Sequence, residues 1–211
     1  MEKRTRDKEL TKQKLLNAVG KIVREHGIDA VGINSVAREA GTDKVLIYRY
    51  FENLDGLMYA YIMSKDFYGN ISKLSPLPEK ITSIEQLMEY SRTIFVNMFY
   101  HLKNDIELQE IYKWELKTLN NATRKVAEKR EELGHKLTNY MTSFVEDTGI
   151  DSEALLTVLV SSINYIVLRS ATVDIFNGIK INEPEGEKRI LEMIDNILRS
   201  YISGLHLKAN S

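Results

Sequence analysis

The sequence predicts an all-α protein of about nine helices. Three observations carry that prediction. Proline occurs 3 times and glycine 11 times in 211 residues, too few for a fold rich in turns. Apolar residues recur at three- and four-residue spacing along most of the chain. No stretch keeps the two-residue alternation of a half-buried strand.

Each element has its own signature. Residues 8–26 place Leu15, Leu16, Val19, Ile22 and Val23 at helical spacing, and Gly27 closes the helix. Short helices follow over 33–40, stopped by Gly41, and over 44–51, preceded by Asp43 as N-cap. Asn53 caps a fourth helix running to about Leu74, and Ser75-Pro76-Leu77-Pro78 then breaks the chain. Beyond that seam the helices lengthen: 83–102, 105–118, 121–147, 152–177 and 185–205. Gly149 ends the third of these. The fourth is apolar on nearly every face.

Composition narrows the function classes. The 43% hydrophobic and 28% charged residues are ordinary for a globular chain. The absence of cysteine removes disulfides, thiolate metal sites and cysteine nucleophiles. Segment MEKRTRDKELTKQK has no apolar run of the kind a secretory signal needs, so a cytoplasmic location is expected. Segment 155–168 is short for a bilayer and carries Ser161, Ser162 and Asn164. The four histidines, His26, His101, His135 and His206, show no paired metal spacing. No nucleophile elbow, phosphate loop or dinucleotide glycine pattern occurs. No enzyme activity, cofactor or metal is expected.

The sharpest signal lies between Val36 and Phe51, VAREAGTDKVLIYRYF. Two short helices joined by a tight turn with Gly41 have the form of a helix-turn-helix. Ala37 and Ala40 are small enough for one helix to cross closely over another. Val36, Ile47 and Phe51 form the inner face, which leaves Lys44, Val45, Tyr48 and Arg49 pointing outward. An arginine can pair bidentately with guanine, and an apolar group can touch a thymine methyl. Lysine and tyrosine suit phosphates. The global charge of −1 conceals an uneven distribution, since residues 1–24 carry eight basic side chains against three acidic ones. Lys3, Arg4 and Arg6 are expected to act as a flexible basic arm that reaches an adjacent minor groove.

Residues 10–60 resemble the DNA-binding domain of the TetR family of bacterial transcriptional regulators. The resemblance rests on Val36-Ala37-Arg38-Glu39-Ala40-Gly41, then Ile47-Tyr48-Arg49-Tyr50-Phe51, then Leu57, in register without a gap. Gly32, Leu46 and Leu54 depart from the family's commoner Thr, Ser or Thr, and Lys. The resemblance implies a DNA-binding domain over 1–53 with its motif at about 33–52, a connecting helix over 54–76, and a ligand-binding and dimerisation domain over 77–211. It implies Asn34, Tyr50 and Asn53 as further DNA contacts beside those above.

Helices 152–177 and 185–205 are expected to pair across a twofold axis through Leu156, Leu159, Val160, Ile163, Val167, Ile194, Ile197 and Tyr201. The bland alternative for 152–177 is a helix buried within one subunit. The middle helices supply candidate pocket residues: Tyr90, Ile94, Asn97, Met98, Trp114, Leu137, Tyr140, Met141, Phe144, Asn164 and Arg169. Such side chains at helical spacing are more often plain core. Asn97, Asn164 and Arg169 stand out as polar groups on apolar faces. The expected function is a ligand-responsive repressor that binds a pseudo-palindromic operator as a homodimer, with a largely apolar small-molecule effector. The alternatives are an all-α interaction protein whose helix-turn-helix has lost operator affinity, and a small-molecule enzyme.

Overall fold

The computed structural model describes residues 2–65, 76, 78, 81–142 and 151–209. Among these residues there are nine α-helices: α1 (Glu2–His26), α2 (Ile33–Ala40), α3 (Val45–Phe51), α4 (Leu54–Ser64), α5 (Ile84–Asn104), α6 (Ile106–Lys117), α7 (Asn121–Thr142), α8 (Ser152–Arg169) and α9 (Pro184–Ala209). A 3-10 turn, Ile28–Ala30, follows α1, and a two-stranded hairpin lies between α8 and α9. The all-α prediction holds.

The chain forms two compact units. The first comprises residues 1–67 and 105–131, and the second comprises residues 68–104 and 132–211. The sequence reading places its boundaries at 53 and 76, in chain order. The compact units instead take α6 and the start of α7 together with the N-terminal helices.

In the first unit, α1 is the central element. Its buried stripe of Leu15, Val19, Ile22 and Val23 repeats at three and four residues. Val36 from α2, Ile47 from α3, Leu57, Tyr61 and Ile62 from α4, and Leu108 and Ile111 from α6 join the same unit's core. Each such aliphatic side chain is worth about 1.5–3 kcal/mol when fully buried. In the second unit, α5 packs with α8 and α9. Phe95, Phe99 and Leu102 of α5, Leu159, Ile163 and Val167 of α8, and Ile190, Ile194 and Leu198 of α9 are buried there.

Three sequence expectations change. The N-terminal basic segment is helical rather than a flexible arm, because α1 begins at Glu2. No proline or glycine interrupts residues 2–19, and Lys, Arg and Glu favour helix. Thr11 Oγ1 donates to the Asp7 carbonyl at 2.8 Å, within the first turns. Helix α4 closes at Ser64, not near Leu74. There the Ser64 hydroxyl donates to the Tyr61 carbonyl, and Lys65 N–H closes a three-residue turn on Ile62. The chain from 66 to 75 lies outside the described residues, as do 143–150 and hence the expected end of the 121–147 helix.

The expected helix over 152–177 stops at Arg169, and the segment after it forms an antiparallel hairpin, Ile175–Phe176 with Ile179–Lys180. Its turn is Asn177-Gly178, both at positive φ, 48° and 79°. An Asn-Gly pair suits a two-residue hairpin turn whose twist matches the strands. Asn182 Nδ2 donates to the Ser170 carbonyl at 3.0 Å and to Asp174 Oδ1 at 3.2 Å, which pins the return. A Cβ on Gly186 would overlap the Lys180 carbonyl, so the first turn of α9 sits directly on the hairpin.

Helix α8 has 18 residues with mean hydropathy 1.3, long and apolar enough to cross a membrane by length and composition. Leu159, Ile163 and Val167 are nevertheless buried on one stripe, as in the core helix of a globular protein.

Candidate nucleic-acid interface

The helix-turn-helix is built by local hydrogen bonds. Gly32 offers no capping side chain to α2, so Ser35 serves instead: its Oγ accepts from Gly32 N–H at 2.9 Å and donates to the Ala30 carbonyl. Helix α2 ends at Gly41, whose φ of 60° and ψ of 39° are left-handed, a conformation that favours glycine. Gly41 N–H bonds the Arg38 carbonyl at 3.2 Å, and Thr42 N–H bonds that of Ala37 at 3.0 Å, closing the helix by paired return bonds. Asp43 Oδ1 accepts from Val45 N–H at 2.8 Å, which starts α3.

Helix α3 then divides cleanly by face. Ile47 is fully buried. Lys44, Val45, Tyr48 and Arg49 are exposed, with Val45 58% and Tyr48 52% accessible. Leu46, Tyr50 and Phe51 are half-buried. Large apolar side chains left in water at adjoining positions of one short helix are unusual without a partner surface. Asn34, at the start of α2, and Arg6 on α1 are exposed as well. Lys8 lies 5.9 Å from the centre of the Tyr50 ring, which sets the basic α1 beside α3. The side chains of Lys3 and Arg4 lie outside the described residues.

Asn53 caps α4, as the sequence reading expects. Its Oδ1 accepts from Gly56 N–H at 2.9 Å. The junction with α3 is tight. Glu52 takes φ 69°, and a Cβ on Gly56 would overlap the Phe51 carbonyl. The recognition-type helix is therefore held directly against the first turn of α4.

Behind this interface lies a carboxylate that sequence reading missed. Glu107, in the first turn of α6, is buried. Tyr61 Oη donates to its Oε2, Arg24 Nη1 donates to its Oε1, and Lys65 Nζ stands 2.9 Å from Oε2. Burial pushes the Glu107 carboxyl up, but hydrogen bonds from Tyr61, Lys65 and Arg24 outweigh it and hold it below the ordinary carboxylate range. Burial and the bond to Glu107 push the Tyr61 phenol far above its usual value. The hydrogen bond to Glu107 raises Arg24. One turn on, Glu110 Oε2 accepts from Ile28 N–H at 3.2 Å. Lys117 pairs with Asp29, and Asn120 Nδ2 donates to Asp55 Oδ1 at 3.1 Å.

The residues expected to line a pocket are dispersed. Tyr90 and Tyr140 meet edge to face at 6.2 Å and pack against buried Leu87, with Tyr140 Oη donating to the Pro78 carbonyl at 2.9 Å. Ile94 is buried, and Asn97, Met98 and Asn164 are half-buried in the same unit. Trp114 instead belongs to the first unit's core. Arg169 is exposed at the end of α8, with Nη1 3.4 Å from Thr172 Oγ1. The side chains of Leu137 and Met141, and all of Phe144, lie outside the described residues.

The residues expected to pair two copies divide as well. Leu159, Ile163, Val167 and Ile194 are buried within the chain. Leu156 and Val160 are half-buried. The apolar side chains that α8 and α9 leave exposed include Val158, Tyr165, Met193, Ile197 and Tyr201. On α9 the exposed set repeats every four residues, one continuous stripe.

Residues 11–61 match the model of the bacterial regulatory proteins, tetR family, a span that runs from α1 to the middle of α4. The chain carries a TetR-family DNA-binding domain. That match supports a DNA-binding regulator, and α3 lies within the matched span. Several solved structures of transcriptional regulators, TetR-family members among them, share the fold along almost the whole length. A TetR-family transcription regulator from Marinobacter aquaeolei VT8 has a TM-score of 0.63 at 17% identity, covering 92% of this chain and 97% of its own. The transcriptional regulator FadR from Bacillus subtilis, solved in complex with stearoyl-CoA, has a TM-score of 0.59 at 18% identity, covering 92% and 99%. A TetR-family regulator from Haemophilus influenzae RD has a TM-score of 0.56 at 14% identity, covering 90% and 97%. A search of curated proteins finds no match to this chain.

Proposed function

We propose that this protein is a ligand-responsive repressor in the cytoplasm that binds a pseudo-palindromic operator as a homodimer. The single observation that carries the DNA half is the outward set of Lys44, Val45, Tyr48 and Arg49 on α3, opposite fully buried Ile47. Arg49 reads a base edge, Val45 meets a thymine methyl, and Lys44 and Tyr48 hold phosphates. The basic first turns of α1, with Arg6 and Lys8, supply further phosphate contacts.

The homodimer is supported by the exposed stripe Met193, Ile197 and Tyr201 on α9, together with Val158 and Tyr165 on α8. A twofold pair places two recognition helices about 34–36 Å apart, or a multiple of one DNA turn, and requires a pseudo-palindromic site. The effector is a largely apolar small molecule. Its candidate contacts are the second unit's Tyr90, Asn97, Met98 and Tyr140. The reading is supported by FadR from Bacillus subtilis, which shares the fold and was solved in complex with stearoyl-CoA. Effector and operator then oppose each other by about 1–3 kcal/mol of coupling.

Selection of bound fragments from genomic DNA tests the reading. The expected outcome is an enriched inverted repeat. Arg49→Ala then relaxes base choice at one position and costs about 1–3 kcal/mol, whereas Lys44→Ala lowers the salt slope and leaves base choice intact. No enrichment, or indifference to both changes, removes the recognition-helix assignment.

A further inference from the structure

The carboxylate of Glu107 faces groups from two other helices at once. Arg24 stands near the end of α1, and Tyr61 and Lys65 at the end of α4. Helix α1 is the central element of the first unit and carries the basic N-terminal turns. Helix α4 begins against the last carbonyl of the recognition helix, at Gly56. Fixing α1 and α4 at their far ends therefore fixes the direction in which α3 is presented.

The position of Glu107 in the chain adds a second point. The chain passes from the second unit into the first between Asn104 and Asp105, and Asp105 is the single residue between α5 and α6. Asp105 gives no slack, because its Oδ1 caps α6 by accepting from Leu108 N–H at 3.0 Å. Glu107 therefore lies in the first helical turn after the chain re-enters the first unit. Hydrogen bonds to a charged group are short and directional, so they transmit orientation where apolar contacts would slide.

We propose that Glu107 is a positioning residue for DNA reading: it ties the first turn of α6 to Arg24, Tyr61 and Lys65 and so sets the orientation of the recognition helix. The proposal rests on DNA binding by α3 and adds to it the residue through which α6 bears on that helix. Glu107 touches no DNA itself. Substitution to Gln keeps the shape and burial but removes the charge, leaving Arg24 and Lys65 without their counter-ion.

The chain has no cysteine, so two introduced ones can be spin-labelled cleanly. Glu52→Cys at the end of α3 and Ala127→Cys on α7 are exposed and lie in the same compact unit. The labelled full chain, diluted with unlabelled protein, reports the distance between them. With Glu107→Gln, the distance distribution is expected to shift or broaden, and affinity for a selected operator to fall at least tenfold. Lys65→Met produces the same changes to a smaller degree, three- to tenfold in affinity. Lys180→Met, which removes an exposed pair with Glu183 in the second unit, leaves both readouts as they were. A lower melting temperature in Glu107→Gln with unchanged distance and affinity overturns the proposal and leaves Glu107 a purely stabilising group. If Glu107→Gln does not fold, the two readouts on Lys65→Met decide in the same way. If the unsubstituted chain selects no operator, the DNA reading fails, while the distance still decides whether Glu107 orients α3.

Discussion

Both units are built on apolar cores, but among the described residues the first adds several charge pairs that cross between helices, and the second adds few. In the first, Lys21 meets Glu39 at 2.6 Å between α1 and α2, Arg130 meets Glu115 at 2.5 Å between α7 and α6, and Glu107 gathers three partners. In the second, α5, α8 and α9 interlock through phenylalanine, leucine, isoleucine and valine, with Lys103–Glu187 as a polar exception between α5 and α9. The difference lies in directionality more than in strength. An exposed ion pair is worth about 0–1 kcal/mol, less than one buried leucine. A charge with fixed partners, however, specifies an angle. A unit that must present a seven-residue helix to a groove gains from that constraint. The effector and second copy proposed for the other unit would call for surfaces that can slide and repack.

Several substitutions break or sharpen this contrast, and the largest effect belongs to the second unit's outer stripe. Ile197→Arg places a charge in the middle of Met193, Ile197 and Tyr201. On the proposed homodimer it converts the protein to a monomer at micromolar concentration, read by sedimentation velocity, with operator affinity lost as a consequence. A dimer that survives this change places the pairing face elsewhere. Next is Ile163→Ala. Ile163 is fully buried in the second unit, and truncation is expected to cost about 2–5 kcal/mol in denaturant unfolding. The same truncation at Ile47 in the first unit carries a similar cost and in addition removes DNA binding, since the recognition face is built on that side chain.

Acid affects the first unit more steeply. The Glu107 carboxyl is held below the ordinary carboxylate range when folded. Its contribution is therefore complete above the unfolded value, near 4.3, and is lost as pH falls through the folded value. Glu110 acts in the same direction, because the hydrogen bonds from Lys113 and Ile28 N–H outweigh its burial. Melting temperature measured from pH 7 down to 3 is expected to fall less steeply in Glu107→Gln than in the unsubstituted chain. Equal slopes would show that the Glu107 charge is not what stabilises the fold at neutral pH. The smallest effect is that of Asn53→Ala, which removes the cap of α4 and costs about 1 kcal/mol, a few degrees in melting temperature.

Much of the first unit was legible because its signals are local. Gly27, Gly41, Asp43 and Asn53 all punctuate helices where the sequence placed the breaks, and Ile47 and Val36 are buried as the spacing required. The hairpin after α8 was missed although its signal was present. Asn177-Gly178 is a strong two-residue turn, but the apolar residues before it read as more helix. The role of Glu107 was not legible by any local rule. Its partners Arg24 and Tyr61 lie 83 and 46 residues away, and nothing in IELQEIYKWELK separates it from an ordinary solvated acid of a helix's first turn. The buried side of α8 was undecidable for another reason. A helix apolar all round does not reveal from its periodicity which face meets its own chain and which waits for another.

That the first unit takes up residues 105–131 has a consequence for how it is made. Helices α1 to α4 leave the ribosome long before α6 does. At about 5–20 residues per second, the interval between translation of residue 65 and of residue 111 is on the order of 2–9 seconds. Through that interval Tyr61 and Lys65 have no Glu107 to meet, and the apolar faces that Leu108 and Ile111 later cover stand open. The N-terminal helices of this protein are thus synthesised first and completed late, and the nascent chain lacks the Glu107 contacts and the cover of Leu108 and Ile111 until the middle of the polypeptide has returned to them.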